Sequence, residues 1–146
     1  MALKYSTKLR NAQMDMVLAV LKNLTITSSA ITGTATAPVL EIRDGALPAS
    51  CAAADTGNLL ASLALTTTAF NASSSGTITK NGTWQDGSAD TTGTATYFRI
   101  KDSTGTCHLQ GTVGLTAPAD LLLDNTSIVS GQVVTINSFS LTAGNA

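Results

Sequence analysis

The pattern of apolar and polar positions along the chain changes after Asn23. Before that residue, apolar side chains recur at the spacing of three and four that is typical of an amphipathic helix: Leu9, Ala12, Met16 and Val20, with Val17 and Leu21 alongside. Ser6 or Thr7 can cap the start of this helix by accepting a hydrogen bond from a backbone N–H. Asn23 is suited to end it. The sequence therefore predicts one N-terminal helix, packed either on its own chain or on a neighbouring subunit.

After Asn23, apolar and polar residues alternate with the period of two that indicates half-buried strands. Leu40 and Ile42, for example, alternate with charged residues. The same alternation predicts further strands over residues 24–27, 59–65, 78–84, 97–101 and 107–113. Within the strand 97–101 we expect Phe98 and Ile100 to point inward, and Tyr97, Arg99 and Lys101 to point outward.

The final strand has a break in its pattern. Val134 and Ile136 share one face, whereas Phe139 and Leu141 share the other. A strand can bury both pairs only if it bulges or bends near residues 137–138, as strands do where they change sheets. These short strands predict a mainly β fold, namely an antiparallel β-sandwich or jelly-roll-like domain with one N-terminal amphipathic helix or arm. We expect the arm and helix to span residues 1–23 and the β body to span residues 24–146.

Composition favours a folded domain that makes contacts with other molecules. The 146 residues suffice for one domain with its own core. Charged residues make up 12% of the chain, about half the usual share, whereas hydrophobic residues make up 43%, so intrinsic disorder is not expected. The sparse charge leaves a surface of small hydroxyl side chains, which suits a subunit of an assembly, although an ordinary neutral monomer remains an alternative.

Charge is distributed unevenly between the two parts of the chain. Residues 1–22 hold four cations and one acid, a balance of +3, and residues 23–146 hold four cations and eight acids, a balance of −4. The two parts could attract each other or their counterparts on neighbouring copies. Because no basic run with interleaved aromatic residues occurs, we do not expect nucleic-acid binding. No stretch approaches the roughly 20 apolar residues of a membrane span.

The N-terminal segment does not match a secretion signal well. Its apolar run over residues 16–21 is short and is bracketed by Asp15 and Lys22. We therefore expect a protein that is made in the cytoplasm and not exported by a recognisable signal.

Candidate catalytic and metal-binding residues are few. The single histidine, His108, lies in a predicted hairpin without an accompanying nucleophile motif. The acidic residues beside predicted loops are better interpreted as solvated turn residues than as calcium ligands: Asp86, Asp90, Asp102 and Asp124. We expect no enzymatic activity, no cofactor and no metal. Trp84 is either a core residue or an interface hot spot.

The two cysteines, Cys51 and Cys107, match neither a metal-binding spacing nor a redox dithiol motif. In the cytoplasm they should be reduced. We expect two small, partly buried apolar side chains. A disulfide that forms after release from the cell remains the alternative.

Three stretches carry a resemblance to known proteins: residues 2–11 (ALKYSTKLRN), 93–100 (GTATYFRI) and 126–132 (TSIVSGQ). Together they resemble small virion proteins of tailed bacteriophages, which are encoded among head and tail structural genes. The resemblance implies a head decoration (cement) protein on the capsid surface, with the major capsid protein as partner and a homo-oligomer, favoured as a trimer. A tail or fibre component, or a surface- or glycan-binding β module, is the alternative.

The basic N-terminal arm is the segment that we expect to dock on the capsid or on a neighbouring subunit. Attraction between a cationic arm and an acidic surface can fix the position and orientation in which the arm binds. The residues that we assign to this interface are Lys4, Tyr5, Lys8, Leu9 and Arg10.

Overall fold

The computed structural model describes residues 3–144, and within them it contains one helix and thirteen short strands. The elements in chain order are α1 (Thr7–Leu21), β1 (Thr25–Ile26), β2 (Ile31–Thr32), β3 (Val39–Arg43), β4 (Leu59–Ala64), β5 (Thr77–Thr79), β6 (Trp84–Asp86), β7 (Gly93–Thr94), β8 (Tyr97–Lys101), β9 (Cys107–Gly114), β10 (Leu121–Leu122), β11 (Ser127–Ile128), β12 (Val134–Ile136) and β13 (Ser140–Thr142). This mainly β, sandwich-like fold with one N-terminal helix confirms the predicted fold class.

Helix α1 begins and ends as the sequence predicts. The Ser6 hydroxyl accepts a hydrogen bond from the Leu9 amide at 3.2 Å, which satisfies one of the free N–H groups of the first turn. At the other end Asn23 adopts the left-handed conformation with φ 55°. Its amide donates to the Val20 carbonyl, and the next amide, of Leu24, donates to the carbonyl of Ala19. This pair of bonds forms a Schellman motif, so the helix stops where the left-handed residue occurs.

The face that α1 buries is not the apolar stripe that the sequence predicts. Met14, Leu18 and Leu21 enter the core, whereas Leu9 and Met16 are each 47% exposed. At 100° per residue, Leu9 and Met16 lie on the side of the helix opposite Leu18. Helix α1 has apolar residues on both sides, and the strands of its own chain cover mainly the side that carries Met14 and Leu18, which leaves much of the predicted stripe outside the core.

The largest sheet has the strand order β10-β9-β8-β3-β4. Its strands are antiparallel, except that β10 runs parallel to β9, with Leu121 opposite Val113. Strands β8 and β9 form the predicted hairpin. The remaining strands form two-stranded ribbons, namely β1–β2, β5–β13, β6–β12 and β7–β11. Side chains from this sheet, from the ribbons and from α1 form one hydrophobic core.

The ribbons confirm one prediction about strand breaks and correct another. Strand β12 pairs with β6 and β13 pairs with β5, so the chain bends between them, as the change of face near residues 137–138 predicts. The single strand expected over residues 78–84 is instead two strands, β5 and β6. They pair with different partners, and residues 80–83 connect them. Trp84 at the start of β6 is 1% exposed, which confirms its interpretation as a core residue.

Both faces of strand β8 are buried, although the sequence predicts one exposed face. Tyr97 and Arg99 are 0% and 2% exposed, because residues 44–58, which we call the cover loop, lie across them. The Tyr97 hydroxyl donates to the carbonyl of Thr56 at 2.6 Å. Tyr97 and Arg99 point away from Phe98, as predicted. They lie in a second, polar layer under the cover loop, however, so the prediction that this face of β8 is exposed to solvent is wrong.

Candidate docking surface

The five residues predicted to form the interface lie before α1 and in its first turn, and the structure gives them different environments. Lys4 and Lys8 are exposed, and Tyr5 is half-buried. Leu9 is 47% exposed although it is a large apolar side chain. Two cations and one apolar side chain are thus accessible near the start of α1.

Arg10, the fifth predicted interface residue, points toward its own body. Its Nε and Nη2 atoms donate to the carbonyl of Ala143 at 3.3 and 3.1 Å. It also lies against Gly76, where an added Cβ would come within 2.7 Å of the Arg10 guanidinium carbon. Beside it, the Asn11 side chain accepts a hydrogen bond from the Gly76 amide at 2.6 Å. The geometry therefore gives Arg10 a role in anchoring α1 and does not support a role in docking.

Exposed apolar side chains, which we call the outer face, lie on α1 opposite the buried Leu18 and just before the helix. The outer face consists of Leu3, Leu9 and Met16, which are 67%, 47% and 47% exposed. A groove of about 260 Å³ continues it between α1 and the β1–β2 ribbon, and the residues that line the groove are Gln13, Met16, Val17, Val20, Ile26 and His108. Apolar side chains that are contiguous and exposed are typical of interaction sites.

The predicted interface residues include none of the residues that line this groove. Met16, Val17 and Val20 belong to the predicted apolar stripe, whose partner, the same chain or a neighbouring subunit, the sequence leaves open. Ile26 and His108 lie far apart in the sequence, and only the packing of α1 brings them together.

His108, at the edge of the groove, is held by Asp102. Its Nε2 atom lies 2.9 Å from Asp102 Oδ2. The other carboxylate oxygen accepts hydrogen bonds from the Thr104 amide, the Thr104 hydroxyl and the Thr106 amide. Burial by itself would raise the pKa of Asp102, but the bonds from Thr104, His108 and Thr106 outweigh it and lower that pKa from 3.8 to about 2. Asp102 is only 5% exposed, so its interpretation as a solvated turn acid is wrong.

Replacing Asp102 with alanine is expected to lower the free energy of unfolding at pH 7 by about 2 kcal/mol, because several donors in the β8–β9 turn lose their acceptor. Since the folded pKa is lowered, this contribution is present above about pH 4 and is lost as the pH falls toward about 2. Urea unfolding of both proteins at pH 7 and at low pH measures the difference. Asp90→Ala, at an exposed turn acid, is the control. An unchanged difference at low pH would contradict the assigned pKa.

Most of the cations of residues 23–146 form ion pairs within the β body. Arg43, Arg99 and Lys101 form ion pairs with Glu41 and Asp55 at 2.7–3.1 Å on the polar side of the main sheet. Outside this cluster, residues 23–146 carry six carboxylates against one lysine, Lys80. The negative charge of the body therefore lies away from the cluster, and the positive charge of the chain is concentrated in residues 1–22.

The part of the chain that the structure describes provides no evident metal centre. Within residues 3–144, no group of three or more His, Cys, Asp and Glu side chains could hold a metal ion. Among the same residues, no helix is long and apolar enough to cross a bilayer.

These features define a mainly β domain whose one helix is anchored on its inner side and exposes apolar side chains on its outer side. No family model, no curated protein and no solved structure matches the chain.

Proposed function

We propose that this chain is a non-enzymatic virion structural protein of a tailed bacteriophage, and specifically a head decoration (cement) protein. In this proposal it is made in the host cytoplasm, binds the outer surface of the major capsid protein lattice and acts as a homo-oligomer, favoured as a trimer. The observation that carries the proposal is the outer face with its neighbouring cations. Leu9 and Met16 are exposed on a helix whose other side is fixed in the core, and Leu3 is exposed just before that helix.

The contacts that anchor α1 on the β body support a docking role, because they hold the helix in one position. Met14, Leu18 and Leu21 are buried, and Arg10 bonds to Ala143. The outer face is therefore presented in a fixed geometry, which lowers the entropy that binding would have to overcome. A rigid apolar face beside two lysines suits a partner surface that is itself partly apolar and acidic.

The low charge of the remaining surface is consistent with binding to a lattice. Each copy would make few contacts, and oligomerisation would join several such contacts into one stable attachment. The exposed cations would attract the arm to acidic sites on the capsid and fix the position at which it binds. This attraction decreases as the salt concentration rises.

The second candidate function is a tail or fibre component that binds a surface glycan. A groove of about 410 Å³ with mixed polar and apolar lining favours it, with Lys80, Asp120 and Asn137 among the residues that line the groove. Such side chains can bond sugar hydroxyl groups. Phe139 also lines this groove but is only 8% exposed, so the stacking platform common in sugar sites is missing from this groove. For this reason we favour the capsid.

The double substitution Lys4→Glu and Lys8→Glu is expected to reduce occupancy on purified heads by roughly 10-fold at low salt, because it reverses the charge beside the outer face. The charge control is Lys22→Glu with Lys80→Glu, which changes the net charge by the same amount at the other end of α1 and on the β body. Copies per head are counted by quantitative mass spectrometry after incubating heads that lack the protein with each variant. Deleting residues 1–10 is a blunter test, since it also removes the Ser6 cap and the Arg10 anchor.

Three outcomes of this experiment would contradict the proposal. Wild-type protein found in only a few copies, or only with tails, would favour the tail or fibre component. Equal losses for the test and control variants would show that net charge, and not the position of the lysines at the start of α1, determines binding. Absence from purified particles would exclude a virion role.

A further inference from the structure

The cover loop and the start of β9 bring the two cysteines of the chain together. The sulfur atoms of Cys51 and Cys107 lie 2.8 Å apart, with the Cys107 thiol donating to Cys51, although the residues are 56 positions apart in sequence. Both are half-buried free thiols. A contact between two thiols over this sequence distance arises only from the way the loop crosses the sheet.

The backbone on both sides of Cys51 is fixed by Arg99. Its Nη2 atom donates to the carbonyl of Ser50 at 3.0 Å and its Nη1 atom donates to the carbonyl of Ala53 at 2.9 Å. Cys107 is fixed by its strand register, opposite Lys101 in the β8–β9 hairpin. Each thiol is therefore held in place by bonds that do not involve the other, so the pair is preorganised for an intramolecular reaction.

A small reactant can reach the pair from solvent. A cleft of about 340 Å³ opens beside both sulfurs, and its lining includes Cys51, Ala52, Asp55, Gly105 and Cys107. The small side chains around it leave the thiols accessible to a peptide-sized disulfide.

We propose that Cys51 and Cys107 are a modification site at which a low-molecular-weight disulfide, such as oxidised glutathione, introduces a reversible intramolecular disulfide. This bond would tie the cover loop to the main sheet. The inference rests on the chain alone and holds whatever surface the outer face binds.

The reaction balances as two thiol–disulfide exchanges. In the first, the Cys51 thiolate attacks one sulfur of oxidised glutathione, forms a mixed disulfide and releases one glutathione thiolate. In the second, the Cys107 thiolate attacks the Cys51 sulfur, forms the Cys51–Cys107 bond and releases the second glutathione. The protein loses two electrons and two protons, and oxidised glutathione becomes two molecules of reduced glutathione.

The environment of Cys107 determines how the reaction depends on pH. Burial, and then the hydrogen bond to Cys51, raise the pKa of Cys107 to about 12. Since the thiolate is the reactive form, the reduced pair reacts faster as the pH rises. Because the exchange is reversible, an excess of reduced glutathione keeps the site reduced and an excess of oxidised glutathione oxidises it.

The test is to incubate the full-length protein with oxidised glutathione and follow intact mass and free thiols over time. We expect both thiols to disappear with a mass loss of two hydrogens, faster at higher pH and reversed by dithiothreitol. The melting temperature of the oxidised protein should rise by roughly 10 °C, because the bond closes a long loop in the unfolded chain. The matched control is Cys51→Ala with Ala52→Cys, which keeps the composition and moves one thiol by one position. It should crosslink roughly 100-fold more slowly.

Two results would overturn the inference. One is a wild-type product that remains a mixed disulfide with glutathione or keeps two free thiols. The other is crosslinking of the control variant at the wild-type rate, which would show that loop flexibility rather than the observed geometry brings the thiols together. Neither result bears on binding to heads, so this inference and the proposed function can fail separately.

Discussion

Replacing Trp84 with alanine is expected to lower the free energy of unfolding by about 4 kcal/mol, the largest effect of any single substitution considered for this chain. Trp84 is 1% exposed. Its ring contacts those of Phe70 and Phe139, with centroids 5.0 and 5.6 Å away. Its indole N–H donates to the carbonyl of Ala69 at 3.1 Å. Alanine would leave a cavity at the junction of two ribbons and a buried carbonyl with one bond fewer.

Urea unfolding followed by circular dichroism measures this effect, because the substitution removes the only tryptophan and with it the fluorescence signal. The control is Trp84→Phe, which keeps most of the ring contacts and should lose about half as much stability. A loss below about 1 kcal/mol for the alanine variant would contradict the assignment of Trp84 to the centre of the core.

Replacing Arg99 with methionine is expected to lower the free energy of unfolding by about 3 kcal/mol. Arg99 is 2% exposed, and its guanidinium donates to Asp55, to Gln110 and to two carbonyls of the cover loop. Methionine keeps the apolar stem but leaves these acceptors without their donor. The cover loop would lose the contact that fixes both sides of Cys51.

Two control variants distinguish the contribution of the Arg99 charge from that of its planar set of hydrogen-bond donors. Arg99→Lys keeps the charge but not the planar set of donors, so it should recover only part of the stability. Lys101→Met removes a neighbouring, more exposed cation of the same cluster and should lower the free energy of unfolding by about 1 kcal/mol. A methionine variant as stable as the wild type would show that apolar packing replaces the buried cation without loss, as happens for some buried ion pairs.

These two substitutions affect the two sides of the main sheet. Trp84 lies in the apolar core that also receives α1, and Arg99 lies in the polar layer under the cover loop. Neither residue lies on the outer face. Both variants should therefore keep the docking surface intact as long as they are folded, whereas the lysine variants should remain folded and lose binding. This separation allows effects on stability to be distinguished from effects on binding.

The limits of α1 and the mainly β class could be predicted because they depend on local chemistry. Ser6 caps the helix and Asn23 ends it through bonds to residues within one turn. The alternation over Leu40 and Ile42 indicates a strand wherever its partners lie. The bend before Phe139 could also be predicted, since a period of two cannot bury both pairs of side chains without a break.

The candidate site was predicted only in part, because its geometry depends on contacts between segments that are distant in the sequence. Lys4, Lys8 and Leu9 could be selected because they belong to the basic N-terminal arm, and the structure leaves them exposed. Their docking role stays a prediction. Arg10 looks equivalent in sequence, but its distance to the carbonyl of Ala143 depends on how the helix lies on a strand more than a hundred residues later. Met16 could not be assigned to a surface because either apolar side of α1 satisfies the helical period.

By itself, the sequence determined what each segment can form: a capped helix, a set of short alternating strands, a chain with its positive charge at one end. These properties depend on neighbours within a few residues. Only the tertiary structure decided which side of α1 is buried, that Tyr97 and Arg99 lie under the cover loop, and that Cys51 and Cys107 touch. Those outcomes depend on contacts between distant segments, where packing and hydrogen bonding in the whole fold select one of several arrangements that the local pattern allows equally.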